Sequence, residues 1–166
     1  MSVPKKYYTD RDVRGFVHKI IRDMSADNWR PDYVVGLTRG GLVPANMISQ
    51  YLDVRMETLK VSLRDGNQCE SNCWMAEDAY EGRRILIVDD INDTGATLNW
   101  IRQDWPSGCH PDDERWRAIW NQNVRFAVLA DNQASQFHDI DYSGAEINKA
   151  EDPAWYIFPW EYWWEA

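Results

Sequence analysis

The chain has 166 residues, a formal charge of −9 and ten tryptophans. That length suits one domain, residues 1–166, with a single substantial core. The acidic balance leaves no basic footprint for nucleic acid and would be repelled by acidic membrane headgroups, so a small-molecule partner is expected.

No stretch nears the roughly 18 apolar residues of a membrane span, and the start lacks the apolar core of a signal peptide, so a cytoplasmic protein is expected. Thr9 is a candidate cap for a helix whose apolar positions Val13, Phe16, Val17, Ile20, Ile21 and Met24 recur at steps of three and one. Residues 33–37 then read as a short strand buried on both faces, because a half-buried strand would alternate with polar residues. Thr38-Arg39-Gly40-Gly41 follows, with a helix expected near Val43-Pro44. Two glycines and an arginine entering a helix describe an anion-binding turn, and a plain glycine turn with a surface arginine is the bland alternative.

Residues 47–52 continue as helix, and residues 55–63 alternate as a strand nearer an edge. Residues 64–83 lose periodicity and read as a polar functional loop. The central stretch comes next. Ile85-Leu86-Ile87-Val88 has the aliphatic character of a parallel strand and ends in Asp89 and Asp90, followed by Asp93-Thr94-Gly95-Ala96-Thr97. Backbone N–H groups at a helix start, with the hydroxyls of Thr94 and Thr97, make an anion site, and Gly95 permits close approach. Two adjacent carboxylates repel phosphate, but they accept hydrogen bonds from neighbouring ribose hydroxyls or hold Mg²⁺ through water. A ribose 5-phosphate fits this loop better than a triphosphate, and no G-x-x-x-x-G-K-[ST] sequence occurs.

A helix over residues 96–101 is expected to break at Asp104-Trp105-Pro106, with a second short helix from Pro111 to about residue 120. Residues 124–130 are another buried strand, ending in Asp131-Asn132. Three cysteines close no disulfide framework and match no zinc spacing, so they read as incidental thiols rather than a metal site. Most tryptophans should serve the core or an interface.

The stretch from Val88 to Thr97 resembles the ribose-phosphate motif of the type I phosphoribosyltransferases, a strand followed by D-D-x-x-D-T-G-x-T. Thr38-Arg39-Gly40-Gly41-Leu42-Val43-Pro44 resembles the S-R-G-G-L-V-P pyrophosphate loop of the bacterial xanthine-guanine and hypoxanthine enzymes of that family. Asp152-Pro153-Ala154-Trp155-Tyr156-Ile157-Phe158-Pro159-Trp160-Glu161 resembles their T-W-I-x-x-P-W-D segment, in which a tryptophan stacks on the purine. The resemblance implies an α/β fold, a parallel sheet of about four or five strands flanked by helices, with a small C-terminal aromatic hood over about residues 140–166. Residues 64–83 would be its mobile loop and residues 102–123 an insertion.

By the same resemblance the reaction is Mg²⁺-dependent transfer of 5-phosphoribosyl from phosphoribosyl pyrophosphate to a purine, a 6-oxopurine being favoured, in a homo-oligomer (dimer or tetramer). Asp89 and Asp90 would hold the ribose and metal-bound water, with Glu161 a further metal candidate. Asp93 to Thr97 would grip the 5-phosphate, and Thr38, Arg39, Gly40 and Gly41 the pyrophosphate. Asp93 is either a general base near the purine or a helix cap. Trp155 and Tyr156 would meet the base. Where the family places a lysine that reads the 6-oxo group, this chain has Asp131 and Asn132, so those two become the base-edge candidates. A fold-sharing regulator that only binds the ligand, or transfer to a pyrimidine, remains the alternative.

Overall fold

Strands that are aliphatic throughout must be covered on both faces, and the fold is the arrangement that covers them. In a computed structural model, residues 2–62, 68–69 and 73–165 are described. The order is β1 (Lys5–Tyr7), α1 (Asp10–Ala26), β2 (Tyr33–Thr38), α2 (Leu42–Leu52), β3 (Arg55–Ser62), β4 (Gln68–Cys69), α3 (Cys73–Tyr80), β5 (Ile85–Asn92), α4 (Ala96–Ser107), β6 (Val124–Asn132), β7 (Tyr142–Ile147) and β8 (Trp155–Ile157). The main sheet runs β4-β3-β2-β5-β6-β7. Its five longer strands are parallel, and the two-residue β4 pairs antiparallel with β3 at one edge.

Alternating side chains of β2 and β5 feed two separate cores, as a period of two requires. Val34, Leu86 and Val88 face a layer containing Val13, Ile20 and Ile48 from α1 and α2. Val35, Leu37 and Ile87 face Met75, Ile101, Trp105 and Trp116 on the other side. The helix start was legible: Thr9 and Asp12 form a reciprocal capping box, satisfying N–H groups that the first turn leaves unpaired.

Five expectations change. Residues 64–83 are not all loop, since α3 occupies part of them and buries Met75, Ala76 and Ala79; residues 63–67 and 70–72 lie outside the described residues. The helix after the central motif does not break at residue 104 but runs to Ser107 with Pro106 inside it. Burying Trp105 is worth roughly 2–3 kcal/mol, which exceeds the single bond of about 1 kcal/mol that Pro106 cannot donate in the last turn.

Beyond the end of α4, the insertion contains only a short 3-10 helix, Glu114–Ala118, where a helix from Pro111 to about residue 120 was expected. It is part of the core: Trp105 and Trp116 both pack against Trp120, which stacks on Phe126 of β6. The hood is smaller than expected, because residues 142–147 form the fifth parallel strand. Its mixed composition hid it. Ala127 and Val128 of β6 pair with it, while Gly144 accepts the close approach of Phe16, whose Cβ would lie 2.2 Å from any Cβ placed there. The hood instead pairs with the N-terminus, β1 lying parallel to β8 and Lys6 bonding Asp152 at 2.7 Å.

The tryptophans also divide. Trp105, Trp116 and Trp120 are buried, but Trp74, Trp155, Trp163 and Trp164 are exposed. Among the described residues no helix is long and apolar enough to cross a membrane.

Candidate active site

The C-terminal ends of parallel strands leave a crevice where a ligand meets the loops and helix starts that follow. Here that crevice is a cleft of about 1240 Å³. Two strand-to-helix connections and the hood build it.

The first connection is Thr38 to Gly41, between β2 and α2. Thr38, Arg39 and Gly40 line the cleft, and the Thr38–Arg39 peptide is cis. Gly41 lies behind it. A Cβ at residue 41 would stand 2.2 Å from the Val88 carbonyl oxygen, so glycine is what lets this loop sit against β5. Gly41 is also the N-cap of α2 and has no side chain to bond there; the Leu42 N–H donates to the Arg39 carbonyl at 3.1 Å and Pro44 has no N–H, so this helix start serves the cleft through its dipole and the loop before it.

The second connection joins β5 to α4. Asp89, Asp90, Asp93, Thr94, Gly95, Ala96 and Thr97 all line the cleft. The two carboxylates are held locally, the Asp90 N–H donating to Asp89 Oδ1 at 2.9 Å and the Ile91 N–H to Asp90 Oδ1 at 2.7 Å. These bonds fix χ angles without using all the acceptor capacity of a carboxylate. Gly95, at φ 91°, caps α4 with no side-chain bond. Thr94 Oγ1 accepts the Ala96 N–H at 3.2 Å, and the helix dipole adds partial positive charge at this end. Two helix starts therefore face one cleft, with an acidic pair between them.

The third contribution is the hood. Trp155 is 46% exposed and lines the cleft with Tyr156, Phe158 and Trp160. Phe158 and Trp160 stack at 5.1 Å, giving the wall a rigid aromatic face. Tyr156 stacks on Tyr8 at 5.4 Å, and burial, then the neighbouring Tyr156, pushes the Tyr8 hydroxyl up to about 12. Glu161 lines the cleft too, though its Oε2 also accepts the Phe158 N–H at 3.3 Å.

Asp131 and Asn132 depart from expectation. Neither is among the residues lining the cleft. Asp131 Oδ1 accepts from Asn92 at 2.9 Å, and Asn132, 6% exposed, donates to the Asp93 carbonyl at 2.8 Å. Asn132 Oδ1 in turn accepts the backbone N–H groups of Ala134 and Lys149. These are structural bonds within the framework, so the base-edge assignment of Asp131 and Asn132 is corrected.

Sequence reasoning missed Lys60, Lys149 and Trp164, which also line the cleft. Lys149 Nζ lies 2.9 Å from Asp93 Oδ1 and 5.5 Å from the centre of the Trp155 ring. The signal that would have found it is its place two residues beyond the end of a parallel strand, but that strand was itself unrecognised.

A parallel α/β sheet whose strand ends present a glycine-rich turn, an acidic pair and a Thr-Gly helix start is the arrangement of a phosphoribosyltransferase. The chain belongs to that family: the phosphoribosyl transferase domain matches residues 6–166. Within it, the chain is 38% identical over 158 residues to a xanthine-guanine phosphoribosyltransferase of Cereibacter sphaeroides, covering 86% of this chain and 83% of the relative. Its fold is similar to that of a purine phosphoribosyltransferase from Pyrococcus horikoshii (TM-score 0.66, 23% identity, 95% and 94% of the two chains). It is also similar to that of a xanthine-guanine-hypoxanthine phosphoribosyltransferase from Helicobacter pylori (TM-score 0.67, 18% identity, 97% and 96%). The chain is accordingly a phosphoribosyltransferase, with the type I fold.

Proposed function

We propose that this enzyme transfers 5-phosphoribosyl from phosphoribosyl pyrophosphate to a 6-oxopurine, giving a nucleoside monophosphate and pyrophosphate. The observation that carries it is the convergence, in one cleft, of two helix starts, an acidic pair and the exposed indole of Trp155. The 38% identical relative named for xanthine and guanine supports the purine.

Each group has a task set by its chemistry. The α4 start, with Thr94 and Thr97, takes the 5-phosphate, and Asp89 and Asp90 accept from the ribose hydroxyls. Thr38, Arg39 and Gly40, at the α2 start, take the pyrophosphate, where Arg39 offsets the charge that grows as the C1′–O bond breaks. The purine N9 bonds to C1′ while its N7–H proton passes to Asp93. Asp93 suits that role better than capping, because Gly95 and Thr94 already occupy the cap region. Trp155 gives the base a flat apolar face.

Mg²⁺ fits this donor set. Among the described residues no group of three or more His, Cys, Asp or Glu forms a protein cage, and Mg²⁺ is usually held by one or two carboxylates together with substrate phosphates. Asp89 and Asp90 would hold it through water, and Glu161 lines the same cleft. When bound, the ion neutralises pyrophosphate charge.

The test is nucleotide formation from phosphoribosyl pyrophosphate, Mg²⁺ and a panel of bases, beside Trp155→Ala. Turnover of hypoxanthine, guanine or xanthine is expected, with base binding weakened by about 1–3 kcal/mol in the variant. Use of a pyrimidine alone, or full activity in Trp155→Ala, would overturn the reading.

A further inference from the structure

We propose that Lys149, carried on the connection between β7 and β8, is the base-selecting residue of this enzyme, and that Asn132 is the positioning residue that delivers it beside Asp93. This rests on the purine reading above. It assigns selection to a segment in which the sequence showed no base-reading group.

Lys149 is 56 positions from Asp93 in sequence, yet its Nζ stands 2.9 Å from Asp93 Oδ1. Both side chains are largely covered, 18% and 20% exposed, so the pair sits in the cleft wall rather than in open solvent. The same ammonium is 5.5 Å from the Trp155 ring centre. A base stacked on that indole therefore brings one edge to a cation and an anion held side by side.

The two charges match one kind of edge. In the reacting tautomer a 6-oxopurine presents an acceptor, O6, next to a donor, N7–H. Asp93 takes the donor and Lys149 the acceptor, so the Lys149–Asp93 ion pair is exchanged for two charge-assisted bonds to the base. A 6-aminopurine presents a donor in place of O6, which leaves the ammonium facing N–H with no bond to make. A site built this way rejects the wrong edge because its own buried group is left unmet.

Asn132 explains how a lysine from a distant connection arrives there. Its amide spans the gap, donating to the Asp93 carbonyl at 2.8 Å and accepting the Lys149 N–H at 2.9 Å. One buried side chain thus ties the backbone of the proton acceptor to the backbone of the cation. With only 6% of its surface exposed, Asn132 has no substrate-facing duty of its own.

The experiment compares kcat/KM for hypoxanthine, guanine and xanthine with that for adenine, and the competitive binding of IMP with that of AMP, in wild type and variants. Lys149→Met is expected to lower kcat/KM for the 6-oxo bases on the order of 10–100-fold, the scale of one hydrogen bond to a charged group. The IMP preference over AMP falls in step, while KM for phosphoribosyl pyrophosphate holds. Lys149→Arg keeps the charge and restores part of the preference. Asn132→Ala reduces the same preference in the wild-type background and adds nothing in the Lys149→Met background, because it acts through that lysine. An unchanged preference in Lys149→Met, in turnover and in nucleotide binding alike, overturns the role of Lys149. An additive Asn132→Ala effect overturns the positioning role alone. A wild-type enzyme that uses no purine overturns the functional reading instead, and this proposal with it.

Discussion

Replacing Gly40 and Gly41 with alanine, one at a time, separates site geometry from fold at adjacent residues. A Cβ at residue 40 would stand 2.3 Å from Asp90 Oδ2 and 2.4 Å from its Cγ. Ordinary contact needs about 3.4 Å, so the carboxylate must retreat by about 1 Å, a shift of a side-chain end rather than of backbone. The fold of Gly40→Ala should hold within about 1 kcal/mol, or roughly 2–4 °C in Tm. With Asp90 in the ribose-binding role proposed above, a displacement of about 1 Å is expected to cost on the order of 10²-fold in kcat/KM for phosphoribosyl pyrophosphate. At residue 41 the obstacles are backbone atoms, the Val88 carbonyl oxygen at 2.2 Å and the Leu37 nitrogen at 2.8 Å. Here β2, its loop and β5 must part, at a cost of about 1–3 kcal/mol in stability. Pyrophosphate release under varied phosphoribosyl pyrophosphate, with thermal unfolding of the same samples, reads both quantities. Wild-type kcat/KM in Gly40→Ala would refute the role of Asp90, and equal stability losses in the two variants would refute the clearance reasoning.

Thr97→Val should weaken nucleoside monophosphate binding by about 1–3 kcal/mol with Tm unchanged, since it removes a hydroxyl from the α4 start; calorimetric affinity equal to wild type would count against that loop as the phosphate site. Replacing Asp89 and Asp90 together by asparagine should abolish turnover and leave Tm equal or higher, because the amide oxygens can still accept the Asp90 (now Asn) and Ile91 N–H groups; normal kcat would remove both residues from the mechanism. Asp141 gives a pH test. Burial raises its carboxyl above the ordinary 3.8, despite bonds from the Phe126 N–H and Asn121 that pull it down. A raised acid favours the folded state below 3.8 and loses that contribution as pH rises through its folded value. The Tm advantage of Asp141→Asn over wild type should therefore grow as pH rises from 3.8 through that value, and a difference independent of pH would show that the carboxyl is not raised.

The phosphate-binding half of the site was legible because each of its parts is local. A buried strand, a turn and a helix start lie within a dozen consecutive residues, and backbone N–H groups at a helix start face the ligand whatever the rest of the chain does. Asp89 to Thr97 and Thr38 to Gly40 therefore stand in the cleft as the sequence placed them. Strands β2, β5 and β6 were equally plain, since burial on both faces forces an aliphatic run. The base-facing half depends on contacts between distant segments, which leave no local pattern. Pairing of β1 with β8 joins residues about 150 positions apart, and the strand β7, with a polar face and a glycine under Phe16, carries too little periodicity to be read. Asn132 was placed at the base because, with Asp131, it stands where the family has its 6-oxo-reading lysine, but its amide joins two loops, and the cation that faces Asp93 comes from Lys149. Sequence alone determined the fold class and the two strand-to-helix turns that line the cleft, because local backbone chemistry suffices for both. Only the tertiary structure decided that Lys149 stands beside Asp93 and Trp155, because that depends on which distant residues the sheet brings together.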